Sequence, residues 1–428
     1  MNKNHTKQVE LSNVFLPVIF SKSDLERVIN EQIDGTLFDE KITEGGFKIQ
    51  VSKASKIRLS IQETTIFYSV PLRIWLRKQM ILGDIEAQGD IVINFKTILN
   101  IGSEWTVSAK TQIVDYKWLS VPKASLMGLK IPVRNIAETV IRRLKQQVTD
   151  TIDKQVNDHF VLKQYATSIW QMLQNPMLVS ADYQTRFKFI PKQVTFAPFL
   201  TESDTILSTL HIQGSTEINV GATDTFLPNS SLSPLTIQDI NGQKEAQLVI
   251  QSKIPLGEVQ KVVLQQFRGQ NFQFGAQGLQ FEGLLIEKVG EVLQLKVRTS
   301  GSYEGWLTLV GTPNFDTEKN TIQLKDVSFQ LDTSNITVAT PKWSIQGPLT
   351  NQLAGDLTYH FEEDLTNLKT ILQQQMNQTI FQKGVHVLAN IRQIRLQKAY
   401  FTETALLLTI RVEGTVKVLV ERLTINEQ

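Results

Sequence analysis

The sequence of 428 residues predicts an α+β protein of two tandem halves, each combining a long helix with an antiparallel sheet. Three observations lead to this prediction. Segments of alternating apolar and polar residues dominate the chain, as in sheets that bury one face. Two long segments carry an apolar residue at every fourth position, a spacing that favours a helix. The same order of elements occurs in both halves, which indicates a duplication.

The predicted strands alternate apolar and polar residues over five positions or more. Because successive side chains of a strand point to opposite faces, this alternation indicates a sheet with one buried and one solvated face. A parallel α/β sheet instead shows continuous apolar runs that alternate with helices. The clearest alternating segments are 47–51, 57–61, 70–74, 91–95, 293–297 and 327–331.

Each half also contains a short and a long amphipathic segment. The short helices are predicted after Phe20, with Ser23 as the N-cap, and over residues 256–267. A four-residue spacing drifts slowly around a helix, which suits a helix that crosses a twisted sheet diagonally. A loosely specified amphipathic helix is the alternative interpretation. The long apolar stripe of the first half is Ile136, Val140, Leu144, Val148, Ile152, Val156 and Phe160. That of the second half is Leu353, Leu357, Phe361 and Leu365, followed by Leu368, Leu372, Met376 and Ile380.

The two halves end in segments of similar sequence. Residues 199–203 (FLTES) lead to Gly214, and residues 400–404 (YFTET) lead to Gly414. We interpret this similarity as part of the duplication, while a chance likeness of two β-rich segments is the other interpretation.

A segment between the halves has the composition of a linker. Residues 224–242 are rich in Pro, Ser, Asn and Gly, which is typical of an exposed connection. We therefore predict an N-terminal module over 11–223 and a C-terminal module over 243–423, in keeping with the two or three domains that this chain length allows.

Charge and composition exclude several classes of protein. Forty-four Lys and Arg against 42 Asp and Glu give a net charge of +2, which argues against a strong non-specific nucleic-acid binder. The chain has no cysteine, so disulfides, zinc–thiolate sites, Fe–S clusters and cysteine nucleophiles are excluded. No run of 18 apolar residues predicts a transmembrane helix. The polar stretch 1–10 fits an exported protein after removal of its signal, and equally a cytosolic protein.

The sequence shows no catalytic or metal-binding constellation. None of the five histidines has a second histidine three or four residues away, and glycine-rich phosphate loops and nucleophile-elbow motifs do not occur. Acidic pairs such as Glu362 and Glu363 are typical of a solvated helix face. We therefore predict that the protein is not an enzyme and holds no metal or cofactor.

Two basic clusters, at residues 73–78 and 142–145, suggest peripheral contact with anionic lipid headgroups. They are also typical of ordinary solvated faces. The six tryptophans are scattered without interleaved basic residues, so no nucleic-acid partner is predicted.

Several short stretches resemble an uncharacterised family of exported bacterial proteins, many of them lipoproteins. That family resembles in turn the tubular lipid-binding superfamily of bactericidal/permeability-increasing protein and lipid-transfer proteins. The similarity runs from Phe15 to about Val420, and none of its motifs is catalytic. The stretches are 68–75 (YSVPLRIW), 116–118 (YKW), 131–133 (IPV), 176–180 (PMLVS) and 301–305 (GSYEG).

The resemblance implies that each module is a long helix wrapped by a highly curved antiparallel sheet, with an apolar tunnel between them. It implies binding or transfer of lipid, or of another long apolar molecule, in the periplasm or at the outer membrane or cell surface, with a lipid-anchored precursor. Burial of a methylene group supplies about 0.8 kcal/mol, so such a tunnel needs no sequence motif. A filled core, which would make the protein a ligand-free scaffold or interaction module, is the alternative. The residues predicted to line the tunnels are Leu25, Val28, Ile29, Ile136, Val140, Leu144, Val148, Val259, Val263, Leu357, Phe361 and Leu365.

Overall fold

The computed structural model describes most of the chain between residues 10 and 421. Not described within that range are 34, 42–45, 81–83, 127–128, 182–183, 221–230, 268–270, 275–276, 302–303, 332–357, 379, 383, and all of 133–161 except 138, 141, 149–150, 152–154 and 157.

A central sheet of ten strands contains strands from both halves of the chain. Its order is β13-β10-β12-β1-β14-β23-β22-β21, with β9 beside β10 and β11 beside β12. Most pairings are antiparallel, and short parallel pairings join β1 to β23, β10 to β13 and β12 to β14. The strands are β1 (Ser12–Ser21), β9 (Met177–Ser180), β10 (Thr185–Phe196), β11 (Leu200–Glu202), β12 (Thr205–Asn219), β13 (Leu235–Ile237), β14 (Glu245–Pro255), β21 (Ile380–Gln382), β22 (Val385–Phe401) and β23 (Ala405–Val420).

An N-terminal sheet of seven antiparallel strands has the order β2-β3-β5-β6-β7-β8, with β4 beside β5. The alternation in β6 buries Ile91, Ile93 and Phe95 and leaves the intervening side chains toward solvent. The strands are β2 (Thr36–Lys41), β3 (Lys48–Lys53), β4 (Arg58–Gln62), β5 (Thr65–Lys78), β6 (Ile85–Ile101), β7 (Val107–Leu126) and β8 (Leu129–Pro132).

A C-terminal sheet of six antiparallel strands follows the chain in order, from β15 to β20. Leu293, Leu295 and Val297 alternate along β17 and are buried on one face. The strands are β15 (Asn271–Phe274), β16 (Gln277–Val289), β17 (Val292–Gly301), β18 (Gly305–Asp316), β19 (Thr321–Leu331) and β20 (Thr358–His360).

Four helices of 11 to 17 residues accompany the sheets in the described part of the chain: α1 (Lys22–Gln32), α2 (Leu162–Leu173), α3 (Leu256–Phe267) and α4 (Glu362–Gln378). None of them is long and apolar enough to cross a membrane. The described part of the chain is mostly β, with several antiparallel sheets and few short helices. The predicted class, an α+β protein of two modules with a long helix wrapped by a curved sheet in each, is therefore wrong.

The second predicted long helix is too long at both ends, because the four-residue spacing does not show where a strand begins or ends. Leu365, Leu368, Leu372 and Met376 lie in α4, whereas Ile380 lies in β21. Residues 358–360 form β20, which pairs with β19, and α4 begins only at Glu362. Thr and Tyr favour strands, whereas the acidic residues 362–364 stabilise a helix N-terminus through the helix dipole. Of the stripe, Phe361 therefore lies between β20 and α4, and Leu365 is its first residue within α4. Leu353 and Leu357 lie outside the described residues.

The first predicted long helix lies mostly outside the described residues. Of its stripe only Ile152 is described, in the helical segment 152–154. Ile141, which does not belong to the stripe, is buried in the core of the N-terminal sheet. The predicted N-cap of the short helix is also wrong, because Ser21 caps α1 by accepting a hydrogen bond from the Asp24 N–H.

The glycines of the two similar closing segments both lie opposite a β-bulge. Gly214 pairs with Pro191 and Gly414 pairs with Ile391, and in each partner strand one residue is skipped directly after the pair. A Cβ at Gly414 would overlap the backbone oxygen of Asn390. The close approach of the two backbones therefore requires glycine. The duplication and the division at 224–242 stay predictions, and of the division only residues 231–242 are described.

We predict that Gly414→Ala lowers the free energy of unfolding by about 1–3 kcal/mol, because the added methyl meets backbone atoms that cannot rotate away. Urea unfolding followed by circular dichroism measures this. Gly257→Ala in α3 is the matched control, since no atom lies within 4 Å of its added Cβ, and we expect it to be neutral or to stabilise by about 0.4–1 kcal/mol. Equal stability of Gly414→Ala and wild type would contradict the bulge geometry.

Candidate functional site

A cavity of about 670 Å³ lies between α3, α4, the C-terminal sheet and one end of the central sheet. This volume falls in the range of small-molecule binding pockets. Aliphatic and aromatic side chains form most of its wall. The buried part of the lining includes Ile218, Phe267, Ile286, Leu293, Leu295, Leu324, Phe361, Leu365, Leu396, Leu406, Leu408 and Ile410.

The cavity lies where two apolar clusters meet. One cluster packs α3 on the C-terminal sheet, and the other packs α4 on the central sheet. Val259 and Phe401 contact both clusters, and both side chains also line the cavity. The space is therefore a junction between two sheets and two helices, with an apolar wall on each side.

Backbone and ring contacts fix Phe361 at the start of α4. Its N–H donates a hydrogen bond of 3.0 Å to the carbonyl oxygen of Asn320. Its ring makes an edge-to-face contact with Tyr359, with the ring centroids 4.9 Å apart. These contacts hold the first turn of α4 against the C-terminal sheet.

Two amide side chains fix the other end of α4 on β22. Gln373 Oε1 accepts a hydrogen bond of 2.7 Å from the Ile391 N–H, and Asn377 Oδ1 accepts one of 2.7 Å from the Ala389 N–H. Gln373 Nε2 also donates to the carbonyl oxygen of Ala389. Because these bonds satisfy backbone groups of a sheet edge, α4 lies in one defined orientation along the cavity.

Several polar side chains contribute to the lining, and we call four of them, Glu258, Asp364, Asn367 and Thr370, the polar rim. Asp364, Asn367 and Thr370 are exposed to solvent, so the cavity reaches the surface there. Among the described lining residues, Glu258 and Asp364 carry the only formal charges. The Glu258 carboxylate forms an ion pair of 2.9 Å with the exposed ammonium of Lys261.

The pKa of the Asp364 carboxyl group lies above its ordinary value. Partial desolvation of the carboxyl group beside the cavity raises the pKa of Asp364 although the residue as a whole is exposed, and the charge of Glu363 acts in the same direction. The Tyr359 hydroxyl donates a hydrogen bond of 2.8 Å to Asp364 Oδ2, which opposes this shift. No group of three or more His, Asp or Glu side chains in the described part of the chain is arranged to hold a metal ion.

Four of the residues predicted to line a tunnel come together in this cavity. Val259 and Val263 face it from α3, and Phe361 and Leu365 face it from the start of α4. Phe361 and Leu365 are also buried.

The three predicted residues of α1 lie elsewhere, against the core of the first half. Val28 is buried, and Leu25 and Ile29 pack on a small cluster that contains Leu59 and Ile206. They are not part of the wall of the cavity. The remaining predicted residues, Ile136, Val140, Leu144, Val148 and Leu357, lie outside the described residues. A role in ligand binding stays a prediction for the whole set.

The prediction missed most of the wall, including Val262 on α3 and Leu406, Leu408 and Ile410 on β23. Val262 shares the apolar face of its helix with Val259 and Val263, so the periodicity was a usable signal. The alternation along β23 showed which residues share a face, but not that this face borders an open space.

The basic cluster at 73–78 does not form a free positive surface. Arg73 pairs with Asp90 at 2.9 Å, and Arg77 pairs with Asp84. These exposed ion pairs are typical of a solvated sheet face. The second cluster, at 142–145, lies outside the described residues.

Taken together, these features define a mostly β protein with an apolar cavity at the junction of two sheets. Residues 10–420 match the family model described as "Domain of unknown function (DUF4403)", and the chain belongs to this family. The predicted membership of an uncharacterised family is confirmed to this extent. No curated protein matches the chain.

One solved structure with a similar arrangement is the "Crystal structure of lipopolysaccharide binding protein". The likeness covers 96% of this chain and 99% of that chain, with 10% sequence identity and a TM-score of 0.31. At this TM-score the likeness supports no conclusion about the function of this chain.

We predict that Phe361→Ala lowers the free energy of unfolding by about 3 kcal/mol, the lower end of the usual range for a buried Phe, because one side of its ring faces the cavity. Urea unfolding measures the loss. Leu388→Ala on β22, where the side chain is 41% exposed, is the control and should stay within about 0.5 kcal/mol of wild type. If Phe361→Ala lowers the free energy of unfolding by less than about 1 kcal/mol, the ring makes few contacts with neighbouring side chains and only borders an open groove.

Proposed function

We propose that the protein binds a lipid or another long apolar molecule in this cavity, by burial alone and without converting it chemically. The observation that supports the proposal is a cavity of about 670 Å³ with a mainly aliphatic and aromatic wall. Burial of about ten to fifteen methylene groups supplies about 8–12 kcal/mol. The entropy lost when the ligand is immobilised and its chain is ordered offsets part of this free energy. We therefore expect dissociation constants in the micromolar range.

The shape of the site gives the ligand a direction. The deepest lining residues, such as Leu408 and Ile410 on β23, are buried, whereas Asp364, Asn367 and Thr370 are exposed. An amphiphile fits both the apolar wall and the polar rim when its hydrocarbon chain lies against β23 and its polar end lies at the rim. We therefore expect ligands with one polar end and one long apolar body.

The cellular compartment in which the ligand is bound is a second part of the proposal. We propose that it occurs in the bacterial cell envelope, in the periplasm or at the outer membrane, with peripheral membrane contact. A chain without cysteine suits an oxidising compartment because it has no thiol to oxidise. Fractionation of cells that express the gene from its own start codon tests this, and recovery of the protein only with cytosolic markers would contradict it.

We predict that Val262→Trp strongly weakens ligand uptake while the protein stays folded. Val262 lines the cavity and belongs to neither adjoining apolar cluster, so an indole at this position enters the open space. Delipidated wild type and variant are titrated with a fluorescent long-chain alcohol, and we expect the affinity of the variant to fall at least about tenfold. If side chains already fill this space, the indole instead overpacks the core, and the free energy of unfolding of the variant falls by about 1–3 kcal/mol.

The same exchange at an exposed position is the control. Val289 at the end of β16 is 52% exposed, so Val289→Trp adds an indole without entering the cavity, and uptake should equal that of wild type. If delipidated wild type takes up no long-chain alcohol, fatty acid or phospholipid, the binding proposal fails. The ligand-free scaffold then takes its place.

A further inference from the structure

We infer that the polar end of the bound molecule is a hydrogen-bond donor, a hydroxyl or an amine, and not a carboxylate or a phosphate. The inference rests on the proposed function, because it names the chemical class of the ligand for the same cavity. Its basis is the combination of a mainly apolar wall with a polar rim that contains the carboxylates of Glu258 and Asp364.

The hydrogen-bonding capacity of Asp364 supports this inference. An ionised carboxylate accepts about four hydrogen bonds and donates none. The Tyr359 hydroxyl occupies Oδ2 with a hydrogen bond of 2.8 Å. The carboxylate therefore keeps acceptor sites for a hydroxyl or an ammonium group of a ligand whose chain lies in the cavity.

The surrounding charges act in the same direction. A helix N-terminus by itself attracts anions through its dipole. The first turn of α4, however, contains three acidic residues of its own, Glu362, Glu363 and Asp364, which repel a ligand anion. On the other helix, Lys261 partly neutralises Glu258, so Asp364 is the more available of the two rim carboxylates.

The magnitude of the effect follows from the exposure of the rim. The interaction of two unit charges about 4 Å apart in water changes a binding constant about fivefold. Partial burial of the charges increases this factor. We therefore expect at least about fivefold tighter binding of an alkyl amine than of the fatty acid with the same chain. The uncharged alcohol should bind between them or as tightly as the amine.

The test uses three probes with one saturated chain, namely dodecylamine, dodecanol and dodecanoate. Each competes with a fluorescent long-chain alcohol on delipidated full-length protein at neutral pH and low salt, where screening is weak. Asp364→Asn removes the charge and keeps the shape, so the preference for dodecylamine over dodecanoate should shrink at least threefold, with dodecanol nearly unchanged. Glu363→Gln removes one charge from the same helical turn at a residue outside the cavity wall, and should change this preference less.

The outcomes separate the two claims. Equal or tighter binding of dodecanoate by wild type, or an unchanged preference in a folded Asp364→Asn variant, overturns the inference and leaves the binding proposal intact. If neither the fluorescent alcohol nor any of the three competitors binds wild type, the proposed function fails and the inference fails with it. Circular dichroism and urea unfolding of both variants show that a lost preference does not come from a lost fold.

Discussion

The pairing of the first strand with strands from both halves of the chain is the constraint on which the rest of the structure depends. β1 pairs with β12 along its whole length and also contacts β14 and β23. At this junction the buried Ser12 hydroxyl accepts a hydrogen bond of 2.9 Å from the Val249 N–H, and the Thr216 hydroxyl donates one of 2.6 Å to the Val249 carbonyl oxygen. Because buried polar groups are costly when unpaired, this network favours one arrangement of the three strands.

The cavity depends on the register that this arrangement sets. In the central sheet Ser252 pairs with Leu408 and Ile254 pairs with Leu406, so these four side chains turn toward α3 and α4 together. A shift of β14 by one residue along β23 would turn Ser252 and Ile254 to the opposite face and leave Leu406 and Leu408 in place. The binding surface is thus a consequence of strand pairing over long sequence distances, and the two helices complete it from the other side.

Local patterns in the sequence predicted the strands well, because alternation reports directly which side chains share a face. They did not predict which sheet a strand joins, since β14 and β17 alternate in the same way but belong to different sheets. The start of α4 was also missed, because Phe361 and Leu365 keep the four-residue apolar spacing across Glu362, where the backbone changes from extended to helical.

Part of the site could be predicted for a similar reason. Val259, Val263, Phe361 and Leu365 were found because each belongs to a periodic apolar face, and all four line the cavity. Leu25, Val28 and Ile29 have the same pattern but pack on a core in the first half. Periodicity identifies a face that avoids water, whereas an open space beside that face depends on the distance between elements, which no local pattern contains.

The most direct test of ligand binding in this cavity is a crystal structure of delipidated protein after incubation with a terminally brominated long-chain alcohol. Anomalous scattering locates the bromine without assumptions about the density of the chain. We predict a bromine peak deep in the cavity, between Val262, Ile371 and Leu408, with the hydroxyl end of the alcohol near Asp364. A cavity filled by side chains, or bromine only on the outer surface, would contradict it.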